Sequence, residues 1–137
     1  MLTATAISAS LLVFIYYKLT IVIIKLRHAN RIRLGDGGLE PLENAIRAHG
    51  NFAEYTPFFL ILLAIFELNG GFKWLVLLLG LIFIVGRLLH AKGIYEHDKH
   101  LNKRILGMKI TFYLILFLAF ANLLLVAIHL LRIYHLI

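Results

Sequence analysis

"RAHGNFAEYTPFFLILLAIFEL", Arg47 to Leu68, decides how this chain folds. Its second half, from Thr56 to Ile65, is nearly all apolar but too short to cross a bilayer, which takes roughly 20 mainly apolar residues. A span here must borrow from Ala45 to Tyr55, which carries Arg47, His49, Asn51 and Glu54. Those polar groups then sit within or just below the headgroup region. The fold therefore turns on a helix whose lower half is polar.

The rest of the chain makes a membrane setting unavoidable. Of 137 residues, 61% are hydrophobic, and the mean hydropathy is +0.89. That is far more apolar than a soluble domain of this length. Four segments read as spans, at about Ala4–Ile24, Pro41–Leu68, Phe72–Lys92 and Lys103–Tyr134. The expected architecture is an all-α integral membrane protein, one four-transmembrane-helix bundle filling the chain. The opening "MLTATAISASLLVFIYY" lacks the basic stretch of a signal peptide and reads as the first helix. "LGDGG", Leu34 to Gly38, marks the first loop, because its glycines disfavour a helix. Pro41, Glu40 and Glu43 suit the start of helix two. "NGG" at Asn69–Gly71 is a tight turn that makes helices two and three an antiparallel hairpin.

Charge fixes an expected orientation. The net charge of +7 comes from Lys and Arg residues at the ends of apolar segments, which argues for topology rather than nucleic acid. Lys25, Arg27, Arg31 and Arg33 occupy the first loop region, and Lys92, Lys99, Lys103 and Arg104 the third, while the second has only Lys73. By the positive-inside rule, loops one and three face the cytoplasm. With no cysteine, disulfides and Cys-based metal sites are excluded, and any thiol chemistry needs a thiol from outside.

Arg47, Asn51, Glu54 and Tyr55 are spaced i, i+4, i+7 and i+8, so a helix gathers them on one face. Such a stripe fits a structural ion pair between Arg47 and Glu54, or a half-helix protruding into the cytoplasm. It also fits a site for a small zwitterionic ligand, since an arginine, an amide and a carboxylate together can hold a carboxylate and an ammonium. Pro57 cannot donate to the carbonyl of Ala53, so a bend is expected just above the stripe. Arg87 and His90, at i, i+3 on helix three, either snorkel to the interface or face the same ligand. Gly80, Gly86 and Gly93 are expected to be close-packing positions. Arg104 opens helix four, where a cation is unfavourable for the helix dipole unless an anion sits beside it. Its alternatives are a positive-inside anchor and a group that stabilises a thiolate.

The pattern R-x-x-x-N-x-x-E-Y-x-P within "RAHGNFAEYTPFF", together with "GRLLHAKG", "RILGM" and "IRLGDGG", resembles the MAPEG family (membrane-associated proteins in eicosanoid and glutathione metabolism), especially its small bacterial members. The resemblance covers nearly the whole chain. It implies a homotrimer with glutathione as co-substrate between neighbouring subunits near the cytoplasmic side, in the inner membrane of a bacterium. Arg47, Asn51, Glu54 and Tyr55 then look like glutathione-binding residues, and His49 like a polar contact. Arg87 and His90 match a helix-three element, and Arg27 looks like an arginine that reaches a glutathione carboxylate. Arg104 aligns with the arginine that holds the glutathione thiolate. The implied activity is a glutathione transferase or glutathione-dependent peroxidase acting on hydrophobic electrophiles or lipid hydroperoxides that enter from the bilayer.

Two rivals of other classes stand beside it. His90 and "EHDKH", with His97 and His100, prompt a metal-dependent oxidase, but such sites need a denser ligand cluster than this; no metal is expected. A non-catalytic membrane scaffold, or a lipid- or glutathione-binding protein, is the other.

Overall fold

The computed structural model describes residues 1–95 and 101–134, and these form four helices. They are α1 (Thr3–Asn30), α2 (Glu40–Leu68), α3 (Lys73–Tyr95) and α4 (Leu101–Ile133). Each is long and apolar enough to cross a membrane. α1 runs six residues beyond the expected Ile24, because loss of hydropathy ends a span, not a helix. "KLRHAN" is made of residues a helix tolerates, and Arg27 and His28 suit its negative C-terminal end. α1 stops at Arg31, which adopts a left-handed conformation with φ +54°.

The bundle is greasy inside and out, as a chain solvated by lipid should be. At its centre Phe59 of α2 stacks on Phe83 of α3, with ring centroids 3.7 Å apart, among the buried Leu12, Leu63 and Leu118. Outside, Phe14, Phe58, Tyr113 and Phe120 are each well exposed, an apolar girdle that water would not tolerate.

Glycines set how closely the helices approach. A Cβ on Gly80 of α3 would overlap the Ser8 hydroxyl of α1. One on Gly86 would meet Ile110 of α4 at 2.8 Å, and one on Gly107 would lie 2.5 Å from the Gly86 carbonyl oxygen. A Cβ on Gly93 would lie 2.5 Å from the Arg104 backbone nitrogen. Small residues let α3 and α4 pack backbone to backbone. Pro57 lies inside α2, which continues as a helix through it.

At the end of the bundle holding the α2–α3 turn, a carboxylate does the work of a helix cap. Glu67 is 8% exposed, and its two oxygens accept from the Ala4 amide at 3.1 Å, the Thr5 amide at 2.8 Å and the Thr5 hydroxyl at 2.7 Å. The first amides of any helix lack intrahelical partners, and lipid offers none. A residue more than sixty positions away satisfies them here.

Glu67→Ala should therefore loosen the first turn of α1 and lower stability by about 1–3 kcal/mol. Unfolding in detergent and amide exchange read the effect: exchange should rise at Ala4 and Thr5 and stay unchanged in α3. Glu67→Gln, which keeps one acceptor oxygen, should recover part of the loss.

Candidate active site

A cavity of about 650 Å³ opens between α2, α3 and α4 at the other end of the bundle. α2 contributes Arg47, Asn51 and Glu54, α3 contributes His90, and α4 contributes Arg104. Ile46, Ile94, Ile105 and Met108 supply an apolar wall. The polar lower half of α2 is thus not wholly solvated, and Arg47 and Glu54 are not paired with each other. Arg47 bonds Glu43 through its Nε at 2.9 Å, not Glu54. Because that guanidinium is 68% exposed, the pair is weak and easily exchanged for a ligand carboxylate.

Behind the cavity lies a buried guanidinium. Arg87 is 1% exposed, so it does not snorkel. Its Nη2 donates to Asn51 Oδ1 at 2.6 Å and its Nη1 to Thr111 Oγ1 at 3.2 Å. The Thr111 hydroxyl passes the polarity on, donating to the Gly107 carbonyl at 2.9 Å. The guanidinium carbon lies 5.7 Å from the Phe52 ring centroid and 6.0 Å from that of Tyr55, and both rings lend cation–π attraction. Among the described residues no carboxylate forms a direct ion pair with it; the hydrogen-bond partners and ring faces hold it, and the Glu54 carboxylate acts on its charge from further off. The arrangement orients Asn51: with Oδ1 held, its Nδ2 is the group left to donate to a ligand.

His90 ties α3 to the start of α4. Its Nδ1 lies 3.0 Å from the Arg104 carbonyl, and because a carbonyl only accepts, Nδ1 carries the proton. Nε2 is then the nitrogen left for the cavity. The same contact, with Gly93 against the Arg104 backbone, fixes where the Arg104 side chain leaves its helix. The cavity is lined by Leu101 and Arg104 of α4, and the Arg104 guanidinium favours an anion there.

Besides Arg87 behind it, three candidates fall outside this cavity. His49 turns to α1, where its Nε2 pairs with the Thr20 hydroxyl at 3.1 Å and its ring packs on Tyr16, 4.6 Å between centroids. Tyr55 packs edge-on against Phe112 of α4 at 5.5 Å. Arg27 lines a separate cavity at the end of α1. His97, His100 and His135 lie outside the described residues. Among the described residues no three His, Asp or Glu side chains gather as a metal site would require. Thr111 escaped the sequence reading; its only signal is a hydroxyl one turn after Gly107.

Comparison with known proteins agrees with the motifs. Residues 5–135 match the MAPEG family. The chain is 35% identical over 119 residues to the inner membrane protein YecN of Escherichia coli K12, an alignment that covers 87% of this chain and 89% of that protein. The YecN of Escherichia coli O6:H1 matches to the same extent.

The glycine contacts make a paired prediction. Gly93→Ala places a methyl group against the Arg104 backbone and should cost about 1–3 kcal/mol of stability as α4 is pushed away. Gly50→Ala, on a helix with nothing within 4 Å of the new methyl, should be neutral or stabilising by up to about 1 kcal/mol. Thermal unfolding in detergent compares the two.

Proposed function

Because the chain belongs to the MAPEG family, we propose that it is a membrane-bound glutathione-dependent enzyme, a transferase for hydrophobic electrophiles or a peroxidase for lipid hydroperoxides. The observation that carries this reading is the convergence of Arg47, Asn51, Glu54, His90 and Arg104 on one cavity. Its volume falls within the range of about 300–1,000 Å³ usual for small-molecule sites. Glutathione offers two carboxylates, an ammonium and a thiol, and the cavity holds a complement for each. Arg47 pairs with a carboxylate, Glu54 with the ammonium, and the Asn51 Nδ2 donates to a carbonyl or carboxylate. Arg87 acts behind them by holding Asn51 in place.

Arg104 receives the sulfur. Its guanidinium favours the thiolate, lowering the thiol pKa from about 8.5. In transfer, the thiolate attacks an electrophilic carbon, a C–S bond forms, and the leaving group departs with the electron pair. In peroxide reduction, the thiolate attacks the hydroperoxide oxygen, the O–O bond breaks, and the alcohol takes up a proton. A second glutathione then displaces the hydroxyl from sulfur as water and forms the disulfide. The apolar wall and the surrounding lipid supply the hydrophobic partner. Such a partner reaches the site without crossing water.

Assembly completes the reading. The proposed form is a homotrimer in the inner membrane with the α1–α2 and α3–α4 loops in the cytoplasm. Arg27 stands apart from the cavity within one chain, so in the trimer it serves the glutathione of a neighbouring subunit.

The test is a glutathione titration of the detergent-purified protein, following thiolate absorbance and then conjugation and peroxidase turnover. The wild type should bind and form thiolate. Arg104→Ala should retain binding but lose thiolate, with turnover falling by about 10²–10³-fold. Failure of the wild type to bind glutathione sinks the reading, and binding without turnover would make the protein a glutathione-binding protein instead.

A further inference from the structure

Between α1 and α2 runs a groove of about 370 Å³ that shares no lining residue with the cavity of Arg47 and Arg104. Leu12, Val13 and Tyr16 of α1, with Phe52 and Leu60 of α2, make it apolar, and no charged side chain lines it. Phe52 is buried between the two sites. The ring that walls the groove is the one that lies 5.7 Å from the Arg87 guanidinium carbon.

Two polar groups interrupt that wall. Thr56 lines the groove at 7% exposure, and its hydroxyl is buried with no hydrogen-bond partner. Other hydroxyls in these helices turn back on their own backbone: Ser8, Ser10, Thr20 and Thr111 each donate to the carbonyl four residues earlier. Thr56 does not. Ala53 also lines the groove, and its carbonyl lacks the usual donor because residue 57, inside α2, is a proline. Ala53, Thr56 and Pro57 stand at i, i+3 and i+4, so the hydroxyl and the carbonyl share one helical face within a single turn.

Hydrogen-bond chemistry identifies the occupant. A carbonyl only accepts and a threonine hydroxyl can donate, so the pair calls for a group that offers one hydrogen and one lone pair. An ammonium or a carboxylate would be buried here without a counter-charge, which is costly. Ethers, esters and ketones have no hydrogen for the carbonyl, and a hydrocarbon leaves both groups unpaired. Water would find two partners in an otherwise apolar space, fewer than the three or so that a buried water makes. A hydroxyl meets both, accepting from Thr56 Oγ1 and donating to the Ala53 carbonyl. We infer that the α1–α2 groove binds an apolar alcohol, a hydrocarbon body with a single hydroxyl, whose body lies against Leu12, Tyr16, Phe52 and Leu60.

The experiment photolabels the full chain with a diazirine-bearing decanol in lauryldimethylamine oxide, a detergent without hydroxyl groups. The label is competed with 1-decanol, decyl methyl ether or decanoic acid and mapped by peptide mass spectrometry. It should fall on residues 9–16 and 52–60, which bound the groove. 1-Decanol should compete at least about fivefold better than the ether or the acid, the worth of about one net hydrogen bond. Thr56→Val keeps the shape without the hydroxyl, and Pro57→Ala returns a donor to the Ala53 carbonyl. Each should bring alcohol and ether to within about twofold of one another, whereas Thr56→Ser should keep the preference. Without ligand, Thr56→Val should melt no lower than the wild type, since it removes a buried hydroxyl that has nothing to bond. Equal competition by ether or acid, labelling elsewhere, or an unchanged preference in both Thr56→Val and Pro57→Ala would overturn the inference. Dissociation of Thr56→Val into smaller oligomers would do so too, by making a second copy of the chain the partner of that hydroxyl.

Discussion

Everything at the functional end of this bundle hangs on a guanidinium placed where a charge is expensive. Arg87 sits inside a lipid-solvated helix bundle and meets its cost with an amide, a hydroxyl and two ring faces. Those partners belong to α2 and α4, so a single side chain of α3 holds three helices in register. Removing it would leave Asn51 and Thr111 without the group that orients them.

The architecture was legible in the sequence because a membrane leaves the backbone few choices. Any crossing segment must satisfy its own hydrogen bonds, so apolar length alone located four helices, as the structure shows. What hydropathy could not see was where a helix ends once it leaves the lipid, and α1 outran its apolar stretch by two turns of basic residues. The left-handed turn at Arg31 has no compositional signature, since arginine gives no hint of positive φ.

The site was legible in part, and the boundary is instructive. Helical spacing put Arg47, Asn51 and Glu54 on one face, and they line one cavity. Spacing also put Tyr55 there, but it lies at the edge of that stripe and closes instead on Phe112. His49 belongs to the α1 side of the same helix. Arg104, fifty residues further on, joins the cavity only because glycines let α4 touch α3, a fact about pairs of helices that no single-helix pattern contains. Glu67, Thr111 and Asn122 are each a polar group within or at the end of a mainly apolar helix. Their partners lie on other helices or across a turn, as when the Asn122 side chain donates to the Leu62 carbonyl at 2.9 Å.

The carboxylate of Glu67 has one more implication, for the order in which the protein is made. The amides of Ala4 and Thr5 leave the ribosome more than sixty residues before the group that satisfies them, which stands at the far end of the second helix. Until that helix has been synthesised and has turned back across the bilayer, the first span has an open end at the membrane surface. The first two spans are therefore a biosynthetic unit, and a chain arrested before residue 67 holds an α1 that has not yet been closed.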